Sequence, residues 1–79
     1  MELMLLRPSG LQLFPVAWVE LTTQQGSFVV QHNHVPMIVS LSYGSSIEFM
    51  VTSGKLESIM VQQGIAEITR DKVSIFVHE

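Results

Sequence analysis

Apolar and polar residues alternate with a period of two through most of this sequence, and glycine, proline, serine or asparagine cuts the alternation every few residues. That pattern fits short strands with one face buried, and no segment holds a helical period long enough to form a helix of ordinary length. The spacing of the breaks predicts an all-β fold, an antiparallel β-sandwich or flattened barrel of about eight to ten short strands.

Leu3 to Leu6 reads as the first strand, and Arg7-Pro8-Ser9-Gly10 as a turn. Leu11 to Phe14 resumes extended structure until Pro15 interrupts it, at an edge or a bulge. From Val16 to Thr23, Ala17, Val19 and Leu21 alternate with Trp18, Glu20 and Thr22, which places the first set inward. Trp18 is then either an exposed anchor or a ring packed under a neighbouring loop. Met37 to Leu41 is extended and ends in the turn-forming run Ser42 to Ser46. Ile47, Phe49 and Val51, the turn Ser53-Gly54-Lys55 and the run Leu56 to Gln62 form one hairpin, with Ile59 and Val61 set against Glu57. After a break at Gln63-Gly64, Ala66 and Ile68 lead through Arg70-Asp71-Lys72 into Val73, Ile75 and Val77, set against Ser74 and His78.

With 79 residues the chain reads as one domain, residues 1–79. A chain of that length buries only about 60–65% of the surface its unfolded form exposes. Charged residues make up 14% of it, so neutral groups must cover much of the exterior, which favours a partner surface. The net charge of −3 and four dispersed cations, Arg7, Lys55, Arg70 and Lys72, leave no basic patch for nucleic acid. No cysteine is present, which excludes disulfides and cysteine-ligated zinc. The opening run Met1 to Arg7 carries an acid where a signal peptide needs bases and is too short to span a membrane, so a location inside the cell is expected.

The specific stretch is Gly26 to Pro36. Phe28, Val29 and Val30 form a strand that breaks at His32-Asn33-His34, closed by Pro36. Proline lacks an amide hydrogen and pushes Val35 toward extended geometry, while asparagine tolerates positive φ, so the triplet belongs on a bend. Gly26 and Gly64 are expected at turns, where the chain needs freedom in φ. Two histidines two apart could also open a metal motif of the cupin type, with His32 and His34 on one face of a strand. The carboxylate such a site requires is replaced by Ile38 and Val39, and no second half of the motif follows. Neither a metal nor another cofactor is therefore expected. Ser53, Ser58 and Ser74 lack a nucleophile elbow, no phosphate-binding loop occurs, and Glu48, Glu57 and Glu67 read as solvated strand faces, so no catalytic residue is assigned.

Taken together, these residues resemble the N-terminal β-sandwich domain of the epsilon subunit of F-type ATP synthases, called delta in mitochondria. The family's corner runs Gly-x-aliphatic-Gly-aliphatic-x-Pro-Gly/Asn-His-Ala/Val-Pro, and Gly26, Phe28, Val30, Asn33, His34, Val35 and Pro36 fall on its places. Val29 and His32 depart from it. Gly54-Lys55, Ile59-Met60-Val61, Gln63-Gly64-Ile65-Ala66 and Asp71 to Val77 follow the family's later order, and Pro8 and Phe14 its first turn and strand.

The resemblance implies a non-catalytic central-stalk subunit of a proton- or sodium-translocating ATP synthase, joining the gamma subunit to the membrane c-ring without a small-molecule substrate. It implies a peripheral position on the cytoplasmic face of the membrane, through the complex. It places the loop Gln24, Gln25, Gly26 and Ser27 against the ring, and His34 and Val39 toward gamma. The loop is neutral, so its contact is expected to depend little on salt. Family members continue into a helical hairpin, whereas this sequence stops at Glu79, so an inhibitory or ATP-sensing role is not expected of it.

Overall fold

The computed structural model describes residues 1–42 and 44–78, with the side chain of His78 outside that description. The expected inward or outward placement of His78, and the part of the Ser42 to Ser46 turn at Tyr43, lie outside the described residues. Eight strands run in chain order: β1 Glu2–Arg7, β2 Gly10–Thr23, β3 Gly26–Val30, β4 Met37–Leu41, β5 Ser45–Val51, β6 Leu56–Val61, β7 Gln63–Ile68 and β8 Lys72–His78. They form one curled sheet in the order β4-β7-β8-β1-β2-β5-β6, with β3 paired to β2. All pairs are antiparallel except β1 with β8, which runs parallel from Glu2↔Lys72 to Leu6↔Phe76. The all-β expectation therefore holds, in a half-barrel with one parallel seam.

Curvature comes from β2. Its first half pairs with β1 and its second half with β3 and β5, so this one strand belongs to both halves of the molecule. Pro15 sits at the changeover without an amide to donate, and the register with β5 slips between Val16 and Trp18. A bulge there places an extra residue on β2, bending the strand and reversing its inward and outward phase. Consequently Val16, Val19 and Leu21 are buried and Ala17 is exposed, which corrects the expected inward set. Two main-chain bonds fix the corner: Val16 N–H donates to the Met1 carbonyl at 2.9 Å, and Thr52 N–H to the Pro15 carbonyl at 2.9 Å.

The core is a single cluster in which Leu3, Leu5, Ile47, Phe49, Val61, Ala66, Ile68, Val73 and Ile75 are almost wholly removed from water. Phe14 reaches across the corner to Phe49, ring centroids 5.0 Å apart. Three sequence expectations shift. Glu57 faces the same side as Ile59 and Val61, opposite Phe49, and is half-buried where it pairs with Lys55 at 3.0 Å. The break between the last two hairpins is Gln62, while Gly64 lies within β7. Gly64 also lacks positive φ. A Cβ there would stand 2.8 Å from the Phe76 carbonyl oxygen, so what requires glycine is the close approach of β8.

On the outer face of the second half, Glu20 of β2 lies directly opposite Glu48 of β5, both half-buried. Like charges facing each other across a ladder are destabilising. Glu48→Lys converts the pair to an attractive one and is expected to raise stability by about 0.2–1 kcal/mol, read as a higher urea midpoint with an unchanged slope.

Candidate functional site

The hairpin joining β2 to β3 turns at Gln24 and Gln25. Asn33 is the one described non-glycine residue with positive φ, so neither glutamine adopts the primed turn geometry usual for such a tight loop. Gly26 supplies the positive φ instead, at +122°, as the sequence suggests. Hydroxyls fasten the tip. The Thr23 hydroxyl accepts from the Gln25 amide at 3.2 Å and donates to the Gly26 carbonyl at 3.1 Å, and the Thr22 and Ser27 hydroxyls meet across the strands at 3.0 Å. The four loop residues are thus exposed on a neutral tip whose backbone is held by its own side chains.

The corner follows β3. Asn33 takes φ +68°, and its amide donates to the Arg70 carbonyl, tying the bend to the turn between β7 and β8. His34 Nδ1 lies 2.9 Å from the Val35 carbonyl, and its ring tilts beside Phe28 with centroids 6.0 Å apart. A left-handed residue between the two histidines breaks the pleat, so the argument that His32 and His34 share one strand face does not hold here. Among the described residues no group of three or more histidine, cysteine, aspartate or glutamate side chains could hold a metal.

Pro36 ends the corner and β4 begins. Val39, half-buried at its centre, packs against the core from the rim. An open groove of ≈ 670 Å³ separates β4 from the β2–β3 hairpin, with Gln24, Gln25 and Phe28 on one wall and Met37 to Leu41 on the other. The loop and Val39, assigned to different partners by the resemblance, therefore face the same cleft, and His34 touches it through Phe28.

The family model described as "ATP synthase, Delta/Epsilon chain, beta-sandwich domain" matches residues 11–79. The chain belongs to this family. Its match takes in the corner, the groove and every strand from β2 onward, and the delta/epsilon chain is a non-catalytic subunit. No curated protein matches by sequence. Among solved structures, a chain of the Euglena gracilis mitochondrial ATP synthase, in its OSCP/F1/c-ring structure, is similar at a TM-score of 0.86 and 23% identity over 95% of the present chain. A chain of the Tetrahymena thermophila mitochondrial ATP synthase, in its central stalk and c-ring structure, is similar at 0.83 and 16% identity over 100% of it. At such identities the likeness is one of fold. The present chain spans 48% and 63% of those two chains.

One feature of this delta/epsilon domain escaped sequence reasoning. Ile65, Phe76, Leu6 and Leu11 are cross-strand neighbours in one row over β7, β8, β1 and β2, each between 39% and 55% exposed. Leu13 and Met4 extend the row on the same face. The signal was present, since β1 and the start of β2 carry apolar residues at both phases of the alternation, as strands covered on both faces do. Among the described residues no helix is long and apolar enough to cross a membrane.

Proposed function

We propose that this delta/epsilon domain fastens the gamma subunit to the membrane c-ring of a rotary ATP synthase and carries torque between them. The family match over residues 11–79 is the observation that carries this reading. Three structural features support it. The exterior is poor in charge, an exposed apolar row crosses four strands, and a neutral, self-fastened hairpin tip projects beside a groove. In the proposed arrangement Gln24, Gln25, Gly26 and Ser27 meet the polar loops of the ring, while His34 and Val39 face gamma. The coupled ion is a proton or sodium, and the domain reaches the membrane through the complex, as a peripheral component.

Co-expression with the gamma subunit of the same organism, followed by size-exclusion chromatography, tests the reading. A one-to-one complex is expected. Binding only the folded form stabilises it by mass action, so the domain should melt higher in the complex than alone. His34→Glu and Val39→Asp are expected to weaken binding about thirtyfold or more, the loss typical of central contact residues. Lys55→Ala and Glu57→Ala should change it little. Urea melts of the free variants separate lost contacts from lost folding. A persistently separate monomer at micromolar concentration would sink the proposal.

A further inference from the structure

We infer that the free edge of β4 is a strand-addition site, onto which an extended segment of the gamma subunit pairs by its main chain. The inference rests on the coupling reading above and goes beyond it by naming the mode of contact. On one side β4 is paired over its whole length with β7, from Met37↔Ile68 to Leu41↔Gly64, without a slip in register. In an antiparallel pair alternate residues exchange bonds with the neighbour, and the residues between them aim their N–H and C=O groups the other way. For β4 the other way is the groove. None of the remaining main-chain or side-chain hydrogen bonds among the described residues involves Met37 to Leu41. Among the described residues these groups have no partner, and Met37, Ile38 and Ser40 are exposed.

Natural sheets protect such edges with charge, proline or a bulge. The edge strand β6 carries Glu57, paired to Lys55 beside it. Within β4 the sequence is Met-Ile-Val-Ser-Leu, with no charge and no proline, and Ile38 is 69% exposed. An unprotected edge specifies its occupant through chemistry: an extended backbone satisfies the row, whereas a helix or a globular side-chain surface leaves it unpaired. The groove also has room. It opens at the Met37 end, between that edge and the wall formed by Thr23, Gln24, Gln25 and Phe28, and closes past Leu41, where Ser42 N–H donates to the Thr22 carbonyl at 3.1 Å, so the added strand pairs with the first residues of β4. A strand laid there would lie against Val39 and Phe28 at the base of the hairpin, leaving its tip to the ring.

Amide hydrogen exchange and NMR on the labelled full chain, free and bound to the gamma subunit, test this. In the free chain β4 is expected to show alternation, with slow amides bonded to β7 between fast ones facing the groove. On binding, the fast set should slow at least about tenfold, the loss of opening expected for even one net hydrogen bond, and should show through-bond couplings to carbonyl groups of gamma. A chain made by chemical synthesis with an N-methyl group on a fast amide of β4 should keep its melting temperature and lose at least about tenfold in affinity. Should the complex form while those amides stay fast, or the N-methyl chain bind as well as its parent, strand addition is overturned and the coupling reading stands. If no complex forms, the coupling reading falls and takes this one with it.

Discussion

Replacing Phe49 by alanine is expected to leave the domain close to unfolded at 37 °C. Among the described residues Phe49 is the largest fully buried side chain, and it joins the two halves by packing against Phe14 from the opposite side of the β2 corner. Truncating a buried phenylalanine costs about 3–5 kcal/mol, through lost transfer energy and the cavity that remains. A chain of 79 residues has a total stability of about 4–12 kcal/mol. The substitution therefore removes a large share of it, and Tm should drop by about 12 °C or more, given roughly 4–8 °C per kcal/mol at this size. Phe49→Leu fills most of the space and should cost about half as much. Differential scanning calorimetry reads both, and a drop below about 5 °C for Phe49→Ala would mean that the ring is not the keystone of the core.

The second large effect is expected at Gly64. A methyl group there meets the Phe76 carbonyl oxygen at 2.8 Å, and the obstacle is main chain held in the β7–β8 ladder, which cannot swing aside as a side chain would. Val61 and Leu41 close the remaining space at 3.5 and 3.6 Å. Gly64→Ala should cost about 1–3 kcal/mol and Gly64→Val more than that, since overpacking against fixed atoms forces strands apart. Gly26→Ala separates this cause from backbone conformation: its position is open, so any loss there arises from the φ of +122°. Urea titrations of the three variants should rank Gly64→Val as the least stable.

Much of this architecture was legible in the sequence because strand alternation and turn chemistry are local. The bend at Asn33, the hairpin from Ile47 to Val61 and the buried set Val73, Ile75 and Val77 follow from side-chain periodicity and from which residues tolerate positive φ. Where sequence reading failed, the missing information was non-local. Ala17 turned outward because a bulge reset the phase of β2, and nothing in Pro15-Val16-Ala17-Trp18 says on which side of the extra residue the phase reverses. Gly64 looked like a turn glycine because the carbonyl that excludes its Cβ belongs to Phe76, on the neighbouring strand. The parallel seam was invisible for the same reason. At the candidate site, the tip Gln24–Ser27 and the corner at His34 could be located, but the groove between the tip and β4 depends on β4 returning past the end of β2.

That parallel seam governs how the chain can be made. Glu2 pairs with Lys72 and Leu6 with Phe76, so β1, made before the other seven strands, has to wait for β8, the last of the eight, before one of its two neighbours exists. Until then β1 and β2 can form a hairpin, and β5 and β6 can join it through β2, but the row that ties β1 to β8 is absent. Contacts so distant along the chain slow folding, because the loop they close must be ordered before they contribute. During synthesis the nascent chain therefore shows water an unpaired β1 edge bearing Leu3 and Leu5, the kind of surface that chaperones hold and that other nascent chains can capture.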